Sequence, residues 1–142
     1  ILVGGIIFNV TGGKLSEKAD EAYKQMQKAE ETINKVCNYL DELEVTANTY
    51  YSSLTKVREK YLETFNYVSY VVNTLHKVDW NDFTEEERTA TQNAVLLVGL
   101  LYNMCKVSLV NKAENENEMN TINKVEVEKS IKNSEQILEN IA

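Results

Sequence analysis

The residues that could do chemistry are few. The chain has one histidine, His76, followed by Asp79 and Asp82, and two cysteines, Cys37 and Cys105. A histidine among carboxylates can move protons or help hold a metal, but a metal site needs further His or Cys ligands at helical or loop spacing, and none lies nearby. His76 therefore reads as a solvated residue at a helix C-terminus, where the dipole favours it. Glu85, Glu86 and Glu87 open a helix and are explained by that position. The cysteines lack metal-ligand spacing and read as two free, buried thiols at apolar helix positions. The stretch DWNDFTEEE has acidic and amide side chains without the spaced oxygens and glycine of a calcium loop. No Glu-x-x-His pair, P-loop, dinucleotide fingerprint or nucleophile elbow occurs. The expectation is a protein that is not an enzyme, with no catalytic residues, no metal and no cofactor.

The elements that must position these side chains are long. The chain has 142 residues, no proline and five glycines, four of which (Gly4, Gly5, Gly12, Gly13) precede residue 15. Few breaks mean few, long elements, and an all-α fold. From Leu15 to Leu75, a heptad repeat places Ala19, Met26, Ile33, Leu40, Ala47, Leu54, Tyr61, Val68 and Leu75 at one position. Leu15, Ala22, Ala29, Val36, Leu43, Tyr50, Val57, Thr64 and Val71 follow three residues later. This pattern predicts one helix, about 90 Å long, carrying a coiled-coil seam. Tyr23, Cys37, Tyr51, Phe65 and Val72 widen the stripe on one flank, and Tyr39 and Tyr67 on the other. A wide stripe implies more than one neighbouring helix, as in a bundle. Tyr23, Cys37, Tyr51, Phe65 and Tyr67 are the candidate association surface.

Thr84 and Glu87 form a capping-box signature that starts a second helix. Trp80 and Phe83, just ahead of it, are expected to plug the open end of the bundle. The run AVLLVGLLYNMC from Ala94 to Cys105 is apolar on nearly every side, which predicts the buried centre of the bundle, with Gly99 marking the close approach of a neighbouring backbone. Residues 111–120 read as a polar loop. Ile122, Val125, Val127, Ile131, Ser134, Leu138 and Ile141 then mark a third helix. The expected boundaries are an N-terminal apolar segment over 1–14 and a bundle over 15–142, with helices at about 15–76, 85–110 and 121–141.

Two layouts suit these elements. In the favoured one the chain turns near Asp79 to Asp82 and the whole second half runs back along the rod, so that facing residue numbers sum to about 160. This would cover the rod entirely and set Cys105 against the neighbourhood of Thr55. In the other, the chain turns again at the polar loop, forming a compact three-helix bundle that leaves Leu15 to Glu44 for a partner.

The net charge of −7, with lysines interleaved among acidic residues, removes the basic footprint of a nucleic-acid-binding protein. The segment ILVGGIIFNV is too short to span a bilayer but suits the end of a longer apolar segment. Ile1, Leu2, Val3, Ile6, Ile7 and Phe8 are its candidate membrane contacts. The order of features, an apolar glycine-containing segment, then KLSEKADEAYKQMQKAE, then Asp79-Trp80-x-x-Phe83-Thr84-x-x-Glu87 leading into an apolar helix, resembles a group of poorly characterised bacterial proteins with a glycine-zipper-like membrane segment ahead of a helical bundle. The resemblance implies membrane association and no known reaction. The resulting expectation is a bacterial, membrane-associated scaffold or interaction protein, at the cytoplasmic face or in the cytoplasm, partnered by copies of itself or by another helical protein. The alternatives are a membrane-active, pore-forming effector and a carrier of a small apolar ligand in a Tyr-lined interior.

Overall fold

The computed structural model describes residues 15–115 and 118–141. The segment containing Ile1, Leu2, Val3, Ile6, Ile7 and Phe8 lies outside the described residues. The fold is all-α, built on one very long helix with two shorter helices packed on it. Helix α1 spans Leu15–Asn73, 59 residues with neither proline nor glycine to interrupt it. Its end is marked by His76, whose φ of 54° is left-handed and lets the Lys77 amide turn back to the Val71 carbonyl. A short 3-10 turn at Trp80–Asp82 leads to α2, Glu85–Cys105. A two-residue antiparallel ribbon, β1 (Val110–Asn111) with β2 (Thr121–Ile122), closes the polar loop, and α3 runs over Lys124–Ile141. The second helix thus ends at Cys105, short of residue 110, and the third begins at Lys124, because Val110–Asn111 and Thr121–Ile122 between them pair as a ribbon.

Helix α2 packs antiparallel on the upper half of α1. The Tyr50 hydroxyl donates to the Met104 carbonyl at 2.8 Å, within about two helical turns of the facing residue that the hairpin register gives. Helix α3 departs from that register. Lys124 pairs with Glu42, the Ser130 hydroxyl meets that of Tyr50 at 2.9 Å, and the Ser134 hydroxyl meets that of Ser53 at 2.9 Å. These pairs are 80 to 82 residues apart, and a near-constant offset means that α3 runs parallel to α1. The layout that covers the whole rod is therefore overturned in favour of the three-helix bundle. The ribbon supplies the reason: it reverses the chain within a few residues, helped by the Asn123 amide on the Leu109 carbonyl (2.9 Å) and the Asn123 side-chain amide on the Ser108 carbonyl (3.0 Å).

The core joins Tyr50 and Val57 of α1 to Leu97, Leu100 and Met104 of α2 and Val127 of α3. Leu54, Tyr61, Ile131, Ile137, Leu138 and Ile141 pack around it. Val125, which the sequence reading counted in the α3 stripe, points outward at 75% exposure.

Three helices cannot surround α2, so it is not the buried centre. Ala94, Leu97, Leu100 and Met104 are buried, whereas Val95, Leu96, Val98 and Tyr102 are exposed on its far side. Gly99 lies on that far side too, and a Cβ built there meets nothing within 4 Å. The close backbone approach expected of it is absent among the described residues. Gly99→Ala should accordingly stabilise the protein by about 1 kcal/mol, the helix-propensity difference alone. Urea unfolding checks this, and a loss of stability would mean that the open space is filled.

Candidate association surface

The heptad positions that bury α1 in the bundle continue beyond it without a cover. Tyr50, Val57 and Val71 are 4%, 0% and 1% exposed, but Met26, Ile33 and Leu40, in the same seam, are 58%, 61% and 53% exposed. The change falls where α3 begins, at the Lys124–Glu42 ion pair. Below it α1 is a bare helix with an apolar stripe, and Tyr23, Met26, Gln27, Ala29, Glu30 and Ile33 line a shallow hollow of about 320 Å³. The rod is therefore covered along its upper half only.

The five residues expected to form an association surface do not form one continuous patch. Tyr23 (61% exposed) and Cys37 lie on the bare part of α1, while Tyr51 and Phe65 are exposed beside the bundle on the same flank. Phe65 packs against Tyr61, with ring centroids 5.6 Å apart. Tyr67 sits on the other flank, on an open groove between α1 and α2 of about 730 Å³ that continues in line with the end of α3 at Ile141. Partial burial, then Glu86 and Glu87, raises its phenol above the usual range. The groove is acidic, lined by Glu63, Glu85 and Glu86, and its one lysine, Lys60, is paired with Glu63 at 3.5 Å.

Both cysteines are free and exposed, which corrects their reading as buried thiols. Cys37 is on the bare part of α1, and Cys105 is on the uncovered side of α2. Trp80 and Phe83 do not plug the bundle either. They pack on each other with centroids 5.6 Å apart, Trp80 stays 45% exposed, and the Arg88 guanidinium lies 5.8 Å from the Trp80 ring centre while bonding the Trp80 and Asn81 carbonyls. Together these residues clip the turn to the start of α2.

Glu87 is a buried carboxylate, 5% exposed. Its carboxylate accepts from Lys77 Nζ at 2.8 Å on both oxygens and from the Thr84 amide at 2.7 Å, and the Thr84 hydroxyl accepts from the Glu87 amide at 3.2 Å. The capping box is thus formed, and Lys77 ties it to the end of α1. The Lys77 hydrogen bonds, then the Thr84 amide, hold the Glu87 carboxyl below its ordinary value of 4.5. A carboxyl depressed in the folded state stabilises the fold above its unfolded pKa, and that contribution is lost as pH falls through the folded one. Stability should therefore decline below about pH 4.5 in thermal melts. Glu87→Gln should lower the melting temperature at pH 7 and flatten this decline; an unchanged acid limb would show that other carboxyls govern it.

Asp79 is occupied structurally, accepting from the Asn81 amide at 2.9 Å and from its side-chain amide at 3.0 Å, while His76 stands exposed past the end of α1. Among the described residues no group of three or more His, Cys, Asp and Glu side chains is placed to hold a metal ion. No helix among them is long and apolar enough to cross a membrane.

The sequence offers the bare seam only through the second layout, which leaves Leu15 to Glu44 for a partner, because a heptad repeat marks positions that want a partner without saying whether the same chain supplies it. Sequence reasoning missed the far side of α2, where an all-round apolar pattern is the ordinary signal of full burial. Comparison with protein-family models, with curated proteins and with solved structures finds no match to this chain.

Proposed function

We propose that this protein is a non-enzymatic helical scaffold that works by binding other helices, above all copies of itself, through the uncovered half of α1. The observation that carries this reading is the exposure of Met26, Ile33 and Leu40 in a seam whose upper positions Tyr50, Val57 and Val71 are buried and Leu54, Tyr61 and Val68 half-buried. Contiguous apolar surface of this extent on a solvated helix favours association by removing that surface from water. The bundle then acts as a head and the bare helix as a connector. The apolar residues Ile1, Leu2, Val3, Ile6, Ile7 and Phe8, together with the resemblance to glycine-zipper-bearing bacterial proteins, support attachment of the connector end to a membrane.

Static light scattering tests the association. The expected mass at micromolar concentration is a multiple of 16.2 kDa, and a strict monomer would sink the reading. Flotation with liposomes, comparing the full chain with one lacking residues 1–14, tests the membrane attachment. If both versions float equally, the segment is not the anchor.

The far side of α2 favours a second reading, a membrane-active effector. Val95, Leu96, Val98 and Tyr102 offer an apolar face that could enter a bilayer interface if the bundle opened. Dye release from liposomes separates the two, since a scaffold leaves vesicles intact. The carrier reading has less support, because Tyr23, Tyr51, Tyr67, Tyr70 and Tyr102 are exposed.

A further inference from the structure

We infer that the occupant of the bare half of α1 is the same half of a second copy, running antiparallel, with residues whose numbers sum to about 62 facing one another. This rests on the self-association proposed above and adds its geometry.

The seam faces the side of α1 on which α2 and α3 lie, since Tyr50, Leu54, Val57 and Tyr61 meet those helices from the same heptad positions. A parallel partner in register would carry its own α2 and α3 into the space occupied by the first copy's, from about Glu42 upward. An antiparallel partner carries its bundle away to the opposite end of the rod.

In a parallel pair, each seam residue meets its own copy, so Ala19, Ala22 and Ala29 would face alanines and leave gaps along the seam. In the antiparallel pair, Ala19 faces Leu43, Ala22 faces Leu40, Met26 faces Val36 and Ala29 faces Ile33, each contact occurring twice. Every alanine of the seam is set against a larger side chain. The same register makes the overlap run over 19–43, and the bundle begins at Glu42. Packing and available length therefore agree on one alignment.

At net charge −7 two copies repel at long range, so close contact requires a seam free of like charges. Among the residues bordering the overlap, Tyr23 meets Cys37, Gln25 meets Tyr39 and Thr32 meets Thr32. Glu30 is the one charged residue of these borders that meets its own copy, next to the two-fold axis. The remaining acidic and basic residues of this stretch, such as Asp20, Glu21, Lys24, Lys28, Lys35 and Asp41, fall on the outer faces.

The test uses two variants with distinguishable tags on a background of Cys37→Ser and Cys105→Ser, one carrying Ala22→Cys and the other Leu40→Cys, mixed and oxidised. The expected product joins one copy of each variant, because Ala22 and Leu40 face each other across the antiparallel seam. Small-angle scattering of the unmodified protein should then give a maximum dimension of about 130 Å, against about 90 Å for a parallel pair. Glu30→Gln should tighten association about twofold by relieving the pair next to the axis. Variants that link only to their own kind, with the shorter dimension, would overturn the antiparallel arrangement and leave self-association standing. An oligomer by light scattering whose mixed variants form no link and whose dimension is the shorter one would do the same. A monomeric unmodified protein would overturn both.

Discussion

Ile33→Asp and Leu40→Asp, each alone, should dissociate the protein while leaving its bundle folded. Both side chains are more than half exposed in the single chain, at 61% and 53%, so neither change opens a cavity or buries a charge within the monomer. In the assembly each would place an unpaired carboxylate in an apolar seam, and two-fold symmetry applies the penalty twice. A cost of about 4 kcal/mol weakens association roughly a thousandfold. Sedimentation equilibrium should show the shift to monomer, and circular dichroism should show the melting of the bundle little changed once measured against a wild type diluted below its dissociation constant. If instead the bundle melts early at unchanged mass, the seam below Glu42 contributes to the fold of the single chain and the association reading fails.

The opposite division of effects is expected at Leu97. This side chain is 0% exposed and joins Val57 of α1, Leu100 and Met104 of α2, and Val127 of α3 in one core cluster. Leu97→Ala should cost about 3 to 4 kcal/mol, part from lost transfer free energy and part from the cavity left behind. For a chain of this size the melting temperature should fall by roughly 10 °C. Val95→Ala, two residues away on the exposed side, should change stability by less than about 0.5 kcal/mol. Urea titration of the pair decides the matter. Equal losses would mean that α2 is covered on both sides.

Much of the fold was legible from periodicity and capping. The heptads from Ala19 to Val71 could belong to little else than a long helix, and Thr84 with Glu87 marked the start of α2 as the structure has it. The direction of α3 was not legible, since the stripe Val127, Ile131, Ser134, Leu138, Ile141 packs equally well pointing either way. What distinguishes the directions is hydroxyl pairing, Ser134 with Ser53 and Ser130 with Tyr50, and a serine in a stripe gives no sign of its partner 80 residues away. In another register the buried Ser53 hydroxyl would lose the Ser134 hydroxyl, at about 1 to 3 kcal/mol, whereas Tyr50 and Ser134 would keep their bonds to the Met104 and Ile131 carbonyls. The reversal itself depends on a ribbon only two residues long on each side, below the length at which strand patterning can be read. The proposed association surface was legible as a stripe, and as a vacancy only in the second of the two layouts, which leaves Leu15 to Glu44 for a partner. Whether Ile33 is covered depends on where α3 begins, and that follows from the turn at the ribbon and not from anything near Ile33.

The parallel course of α3 also has a consequence for the order in which the molecule assembles. The contacts of α1 with α2 close a single hairpin, from Lys77–Glu87 at the turn to Tyr50–Met104 at the far end, and can form progressively from the turn outward. The contacts of α3 cannot, because Tyr50–Ser130 and Ser53–Ser134 require the ends of a chain segment of 80 residues or more to meet. The loop-closure entropy of such a meeting is far smaller once the hairpin has already brought Met104 against Tyr50 and shortened the path to Ser130. Loop closure thus predicts that helix α3 docks last and leaves first, as a detachable third helix on a two-helix stem.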